Sequence, residues 1–341
     1  MSRCSSAFAA GGRAVSVGRW PTLRQMLNDS APSLSPVPPP KVAVSLCTFK
    51  RPDVLETLLE RLLEVAKTAD GTARIGVVVV DDDPAGSAEG TSRRWAERFE
   101  LGLHYRCTGS CNISIARNQA LEGGMALGEW LALIDDDCLP DAGWVKALVE
   151  MQQRTGADCV SGLCGMTLPP DAPRWMTDEP FDEEPPQGED GQRVTDGYLK
   201  NTMISAAFLR AHGLHFDVAL GVSSGEDAMF FHDIHQAGVH HRFARDARVD
   251  EMVPSDRARL GYQLRRRFWY GNTEAVTSIG RGMVSRPRMA ASGAKKVAIG
   301  AVHPARRALT GRSLQWRFAL AEMLRGLGRV LGAAGIKVDH R

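Results

Sequence analysis

The chain has 341 residues, of which 43% are hydrophobic and 24% charged, the composition of an ordinary globular protein. It contains no run of 18 apolar residues, so a membrane-spanning helix is not expected. The seven cysteines, an odd number without a Cys-x-x-Cys pair, argue against a disulfide framework and indicate reduced thiols in a cytoplasmic protein.

Charge is divided unevenly along the chain. The formal net charge is +2, yet residues 255–341 hold 18 Lys and Arg residues against 4 Asp and Glu residues. This asymmetry indicates either contact with an anionic partner, such as a phosphate-bearing substrate or a lipid surface, or a solvated basic face that covers the acidic body. Composition leaves both interpretations open.

The first predicted element is a disordered leader over residues 1–40, which ends in a proline-dense stretch and lacks the apolar segment of a secretory signal. From Lys41 onward the pattern alternates between strands and helices. Residues 42–49 form an apolar strand, and Pro52 begins a helix with leucines at i, i+3, i+4 and i+7. Residues 75–80 are a valine-rich run typical of a strand buried on both faces of a parallel sheet.

The remaining elements continue this alternation. Strands are predicted at 103–106, 130–134, 158–163 and 239–243, and helices at 87–100, 113–121, 141–154 (with Asp141 as the N-cap) and 226–236. Such repeats predict an α/β fold, namely a doubly wound, mostly parallel sheet flanked by helices over residues 41–255. A basic helical extension is predicted over residues 256–341.

Two predicted strands end in three consecutive aspartates, Asp81 to Asp83 and Asp135 to Asp137. Ligands of doubly wound sheets bind at the carboxyl ends of the strands, so both clusters fall at the expected binding edge. Side chains alternate along an extended segment, so Asp135 and Asp137 should share one face. Because adjacent carboxylates repel each other and a divalent cation removes that cost, the clusters favour a metal-binding cleft over solvated helix caps.

The order of motifs over about residues 42–275 resembles glycosyltransferase family 2, whose members have the GT-A fold. The resemblance implies an enzyme that uses a nucleotide-sugar donor. The residues that match the donor-binding motifs of the family are Thr48, Arg51, Asp81, Asp82, Arg117 and Asn118. The guanidinium of Arg117 has the physical properties needed beside a phosphate.

The metal motif of the family corresponds to Asp135 and Asp137, which the resemblance implies hold Mn²⁺ or Mg²⁺, with Asp136 against the donor ribose. A later motif that supplies the catalytic base corresponds to Gly225, Glu226 and Asp227. Asp227 is the predicted general base, and Gly225 and Glu226 are predicted to contact the acceptor. From the residues alone, a carboxylate at this position equally caps the following helix.

The chemistry implied is inverting transfer from a UDP-sugar to a hydroxyl group of a carbohydrate or lipid-linked acceptor. Trp175, in an acid-rich stretch predicted to be a loop, is suited either to stack on an acceptor sugar or to pack against the base of the loop. Two positions depart from the family. Glu251 stands where many relatives have His, and Arg267 replaces a tryptophan of processive members, so processive polymer synthesis is not expected.

A basic amphipathic helix is predicted near the C-terminus. Its apolar face consists of Trp316, Leu320, Met323, Leu324, Leu327, Val330 and Leu331. This helix is suited either to peripheral contact with the inner face of a membrane or to docking on the catalytic domain or a second subunit. The extension contains few aromatic residues for stacking bases, so a nucleic-acid partner is not expected.

Two other function classes compete with a glycosyltransferase. A phosphotransferase of the haloacid dehalogenase type needs Thr or Val where Ala85 and Leu139 stand. A non-catalytic sugar-nucleotide-binding protein would not need every acidic residue of the motifs, and all of them are present.

Overall fold

A computed structural model describes residues 38–181, 188–195, 199–222 and 225–338. The predicted leader lies outside the described residues apart from its last three positions. Residues from Pro39 onward group into one compact unit, so the division predicted after residue 255 stays a prediction.

Eight strands form a single sheet in the order β3-β2-β1-β4-β7-β6-β8-β5. Six strands run in one direction, and β5 and β7 run in the other. The strands are β1 (Lys41–Thr48), β2 (Arg74–Asp81), β3 (Leu103–Cys107), β4 (Trp130–Leu133), β5 (Cys138–Pro140), β6 (Cys159–Thr167), β7 (Thr202–Ser205) and β8 (His241–Met252).

Helices cover both faces of this sheet. Those of the α/β region are α1 (Pro52–Thr68), α2 (Glu89–Trp95), α3 (Ile113–Leu127), α4 (Trp144–Thr155), α5 (Trp175–Asp178), α6 (Ala206–His212) and α7 (Glu226–Gln236). The valines of β2 alternate between the two sides: Val77 and Val79 pack with α1, α2 and α4, while Val78 and Val80 pack with α3. The predicted burial of β2 on both faces is therefore confirmed.

Several predicted boundaries were wrong. Helix α4 begins at Trp144 with Gly143 as its N-cap, because the Asp141 carbonyl accepts the Trp144 N–H in a preceding turn. Strand β8 continues to Met252, nine residues beyond the predicted end. The short strands β5 and β7 were missed, since three or four residues show no readable periodicity and their partners are distant in sequence.

Three further helices form the C-terminal region: α8 (Leu260–Gly280), α9 (Arg286–Leu309) and α10 (Trp316–Ala333). The predicted basic helix is confirmed as α10, which lies between α8 and α9. Its glycines face its neighbours, so that Gly328 meets the backbone of α8 and Gly326 meets that of α9. Within the described residues, no helix has the length and apolar character needed to span a bilayer.

Candidate active site

The two aspartate clusters lie at one edge of the sheet because their strands are parallel and close together. Strands β2 and β4 both pair with β1, and Thr48 at the end of β1 lies in register with Asp81. The Thr48 hydroxyl donates a hydrogen bond to Asp136 at 2.8 Å. The end of β1 and the second aspartate cluster therefore meet directly.

Asp81 and Asp82 are buried, and both accept hydrogen bonds from nearby backbone and side-chain groups. Asp81 accepts hydrogen bonds from the N–H groups of Asp83 (2.9 Å) and Ala88 (2.7 Å) and from the Tyr105 hydroxyl (3.1 Å). Burial and the negative charge of Asp81 raise the pKa of Tyr105. These bonds use both oxygens of Asp81 and make it a fixed support for the loop.

Asp82 differs from its neighbour in one respect. Its Oδ1 atom accepts the Thr108 hydroxyl at 2.5 Å and both the N–H (3.1 Å) and the hydroxyl (2.6 Å) of Ser110. Its Oδ2 atom accepts no hydrogen bond from any described residue. Of the two aspartates that match the donor-binding motifs, Asp82 is thus the one with a carboxylate oxygen still available to accept a hydrogen bond.

The second cluster lies in the turn between β4 and β5, where the Asp135 carbonyl accepts the Cys138 N–H at 3.1 Å, so the extended backbone behind the predicted alternation is not present at these residues. Asp136 turns toward β1, and its pKa is raised to about 6, first by burial and then by the charges of Asp137 and Asp135, with Thr48 and Arg51 opposing. Arg51 contacts Asp136 at 3.3 Å and Asp137 at 3.2 Å, so it holds both carboxylates.

Asp135 and Asp137 offer carboxylate oxygens that lie, together with the Cys138 sulfur, within 4.8 Å of one another. Burial, followed by the charges of Asp135 and Asp137, raises the pKa of Cys138, and hard cations prefer carboxylate oxygen to sulfur as a ligand. The usable donor set is therefore two carboxylates, which suits a hard cation such as Mg²⁺ or Mn²⁺.

Arg117 links this cluster to the base-bearing motif. It lies in the second turn of α3, whose N-cap Asn112 accepts the N–H groups of Ser114 and Ile115. The guanidinium pairs with Glu226 and faces Asp135 at 3.6 Å. Burial opposes its charge, but Asp135 and Glu226 outweigh that effect and raise the pKa of Arg117, which keeps it cationic.

Asn118, the next residue on α3, has a structural partner. Its amide donates to the Phe216 carbonyl at 2.9 Å and accepts the Phe216 N–H at 2.7 Å. Phe216 in turn lies below the guanidinium of Arg117, with 5.6 Å from Cζ to the ring centroid. Asn118 thus fixes the segment that supports Arg117, and its direct contact with the donor stays a prediction.

The base-bearing motif stands at the start of α7. Gly225 has φ +96°, and a Cβ there would press on Thr273 and Thr277 of α8, so glycine is required on two counts. Glu226 is buried, and burial and Asp227 raise its pKa against the effect of Arg117. Asp227 is half-buried, accepts the Ala228 N–H at 2.8 Å and pairs with no cation among the described residues.

Cys47, which the sequence analysis did not single out, lies in the middle of these groups. Its pKa is raised to about 12 by burial and by the charges of Asp135, Asp82 and Asp136, with Arg117 opposing. The negative charges of both aspartate clusters therefore raise the pKa of the same half-buried thiol. Asp227 belongs to the same region, since its charge also raises the pKa of Asp135.

Sequence reasoning missed two further charged residues at this site, Lys200 and Arg257. Lys200 pairs with Glu251 at 2.9 Å, and Arg257 reaches Asp137 at 3.6 Å. Glu251 lies opposite Cys138 in the sheet, and Lys200, Arg266 and Arg257 outweigh its burial and lower its pKa. The position where relatives have His therefore carries an ionised carboxylate next to the metal-binding cluster.

Trp175 lies in the short helix α5 and is half-buried. Its ring meets Phe181 edge-on at 4.9 Å, and Phe181 meets Phe318 of α10 at 6.1 Å. One side of the Trp175 ring therefore packs against the protein, as one of the two interpretations of the sequence predicted. Stacking on an acceptor stays a prediction.

Comparison with known proteins agrees with this geometry. The sequence profile described as glycosyl transferase family 2 matches residues 43–214. The succinoglycan biosynthesis protein ExoM of Rhizobium meliloti (strain 1021) is 33% identical over 256 residues, which cover 74% of this chain and 81% of that protein.

Solved structures share the fold at low sequence identity. The structure of S. aureus TarS 1–349 in complex with UDP-GlcNAc has a TM-score of 0.51 and 13% identity, covering 86% of this chain and 92% of that chain. GalNAc-T7 with UDP, GalNAc and Mn²⁺ has a TM-score of 0.50 and 14% identity. That match covers 71% of this chain and 50% of GalNAc-T7.

The topology of the sheet and these structural neighbours show that the chain has the GT-A fold. The chain belongs to glycosyl transferase family 2. The haloacid dehalogenase alternative is thereby set aside.

Proposed function

We propose that the chain transfers a sugar from a UDP-sugar to a hydroxyl group of a carbohydrate or lipid-linked acceptor, with inversion and with the help of a divalent cation. The complexes of TarS and GalNAc-T7 support UDP as the nucleotide, and the name of ExoM supports a role in polysaccharide synthesis. The observation that carries the proposal is the link through Arg117 between Asp135 and the motif that contains Asp227.

Asp227 is the proposed general base. Its neighbour Glu226 is neutralised by Arg117, whereas Asp227 is half-buried and meets no described cation, which leaves its carboxylate available for a proton. In the proposed reaction the acceptor oxygen bonds to the anomeric carbon as the bond from that carbon to the UDP oxygen breaks. The acceptor proton passes to Asp227.

On the donor side, the free Oδ2 atom of Asp82 is suited to accept an N–H group of the uracil. Asp136, which Thr48 and Arg51 hold in place, is the proposed contact for the ribose. Arg117 and Arg51 supply positive charge toward the diphosphate.

A divalent cation fits the site because Asp135 and Asp137 present carboxylate oxygens close together, and Mg²⁺ and Mn²⁺ prefer such oxygen ligands. Each carboxylate already contacts arginine, Asp135 with Arg117 and Asp137 with Arg51 and Arg257, which supports a site that attracts positive charge. When bound, the cation would neutralise the charge that develops on the departing diphosphate.

The acceptor side has a candidate cavity next to the base. A cavity of about 200 Å³ lies between α7 and α8, and its lining includes Thr273 and Thr277, the residues that contact Gly225. Met229 of α7 also lines it. We propose that this cavity receives part of the acceptor close to the start of α7.

The test is a screen of UDP-, GDP- and dTDP-sugars for release of the nucleoside diphosphate, with Mn²⁺, with Mg²⁺ and with EDTA. We expect turnover with at least one UDP-sugar and loss of that turnover in EDTA. Turnover that is equal with and without a divalent cation would contradict the metal role, and no response to any donor would contradict the proposed function.

A further inference from the structure

The C-terminal region contains a long segment without any acidic side chain. Between Glu274 and Glu322 there is no Asp or Glu, while nine Lys or Arg residues occur. Seven of those nine cations lie within residues 286–315, which contain α9 and the loop that follows it. This segment is therefore the most strongly cationic part of the described chain.

Helix α9 is packed on one side only. It buries Met289, Gly293 and Gly300, and its main neighbour is α10. The opposite side carries one stripe at helical spacing. The stripe consists of Arg288, Lys295, Ile299, Val302, Arg306 and Leu309, and its apolar members are 51% (Ile299), 51% (Val302) and 88% (Leu309) exposed.

The loop after α9 extends the stripe. Arg307 donates to the Ser313 carbonyl at 2.6 Å, and the Arg312 N–H donates to the Arg307 carbonyl, so the loop turns back against the end of the helix. It brings Leu314 and Trp316, which are 46% and 45% exposed, to that end. Together, the stripe and these two side chains are called the α9 surface below.

We propose that the α9 surface rests on an anionic lipid bilayer. Lys295, Arg306 and Arg312 form no ion pair with any described residue, so their charge is available for headgroups. Exposed aliphatic side chains alternate with these cations along the helix, and such side chains enter the acyl boundary of a bilayer. Trp316 is of the type that favours the level of the headgroups.

Two other occupants fit less well. A nucleic acid would gain from the cations but not from Ile299, Val302 and Leu309, since it has no apolar surface to cover aliphatic groups. A second copy of the chain would bring the same cations against themselves, because the two halves of a symmetric contact are identical. Charge complementarity therefore favours an anionic bilayer.

The α9 surface is not the one that the sequence analysis considered for membrane contact. For helix α10 the sequence left open either membrane contact or docking on the catalytic domain or a second subunit, and in the structure its small residues are packed between α8 and α9. Its first turn is held by Glu179, which accepts hydrogen bonds from Arg317 (3.0 Å) and from the Phe318 N–H (2.7 Å). Helix α9 is thus the element with an unpartnered face.

Binding is measured by flotation of the full chain with vesicles of phosphatidylcholine alone and of phosphatidylcholine with 30 mol% phosphatidylglycerol. We expect binding to the anionic vesicles only, weakened by raising the salt concentration. Arg306→Gln with Arg312→Gln should lower the partition coefficient about 30-fold, at about fivefold per cation. Val302→Glu with Leu309→Glu should lower it at least as much, and because all four positions are exposed the melting temperature should not change.

Matched variants on the α/β region serve as controls. Lys67→Gln with Arg93→Gln removes two exposed cations, and Val54→Glu changes an exposed aliphatic residue. These controls should bind anionic vesicles as the wild type does, and UDP release should be unchanged in every variant, which separates this test from that of the proposed function. Three outcomes would overturn the proposal. The first is equal binding to neutral and anionic vesicles, and the second is binding to duplex DNA that persists in the variant Val302→Glu with Leu309→Glu. The third is a dimer of the wild-type chain that this variant no longer forms.

Discussion

Adjacent carboxylates at the start of α7 have different surroundings. Glu226 is buried against Arg117, while Asp227 is half-buried and meets no cation among the described residues. When neighbouring acidic groups differ in this way, their chemical roles differ too. Arg117 contributes to the difference, because among the described residues it forms ion pairs with Glu226 and Asp135 but not with Asp227.

The first prediction concerns Asp227→Asn. We expect kcat to fall by about 10²- to 10⁴-fold, because general base catalysis contributes that much, with the affinity for the donor nearly unchanged. The measurement is UDP release together with calorimetric titration of UDP. Asp233→Asn on the same helix is the control and should retain activity. A variant at position 227 with wild-type turnover would remove this residue from the role of base.

A buried histidine outside the site predicts a pH dependence of stability. His241 contacts the Ser161 hydroxyl at 2.8 Å and His235 at 3.3 Å. Burial, and then the charge of His235, lowers the pKa of His241 to about 3. Because the unfolded chain takes up the proton near pH 6.5, the stability from neutral His241 is full above that pH and is lost as the pH falls below it.

Urea denaturation at pH 7.5, 6.5, 5.5 and 4.8 tests this dependence. We expect the free energy of unfolding to fall by about 1 kcal/mol per pH unit below pH 6.5 through this one group. His241→Gln should show a shallower fall, and His215→Gln, at an exposed position, should follow the wild type. Equal slopes in all three proteins would show that His241 does not carry the effect.

The C-terminal helices are held together by close contact of their backbones. Gly271 of α8 meets the carbonyl of Arg325, and Gly328 of α10 meets that of Phe268. From the sequence alone, glycines are expected to destabilise a helix, but in this structure they allow α10 to lie against both neighbouring helices. The same packing supports the active site, because α8 carries the Thr273 and Thr277 side chains that border Gly225.

Gly271→Ala tests this packing. A Cβ at that position would overlap a backbone carbonyl, so we expect a loss of about 1–3 kcal/mol in the free energy of unfolding, as for other overpacked positions. Gly261→Ala on the same helix is the control, since a Cβ there meets nothing within 4 Å. This control should be neutral or slightly stabilising. Equal effects of the two substitutions would argue against close backbone packing.

For the whole molecule, ligand binding and stability are linked. If Asp135 and Asp137 hold a cation that also binds the diphosphate, Mn²⁺ with UDP at 100 times its dissociation constant should stabilise the folded chain by about 2.7 kcal/mol. A rise of about 5 °C in the melting temperature should follow. Asp137→Asn should lose most of that rise, while Asp246→Asn, at an exposed position, should keep it. A rise that does not depend on Mn²⁺ would separate UDP binding from the cation.

Local patterns predicted much of the fold and the candidate site. The leucines of α1 and the valines of β2 identify their elements because burial follows the period of the backbone. Strands β5 and β7 could not be predicted, because they exist only through pairing with β8 and β4. Lys200 and Arg257 were missed for a similar reason, since their partners Glu251 and Asp137 are far from them in sequence.

By itself, the sequence determined the order of strands and helices, the acidic strand ends and the membership of a family, because each depends on neighbouring residues and their spacing. The tertiary structure decided which carboxylates are free. Arg117 neutralises Glu226 and leaves Asp227 open, and Asp82 keeps one free oxygen where Asp81 keeps none. Such differences arise from burial and from groups that the fold brings close: Arg117 and Glu226 are 109 residues apart in the chain, and Asp82 and Ser110 are 28 residues apart.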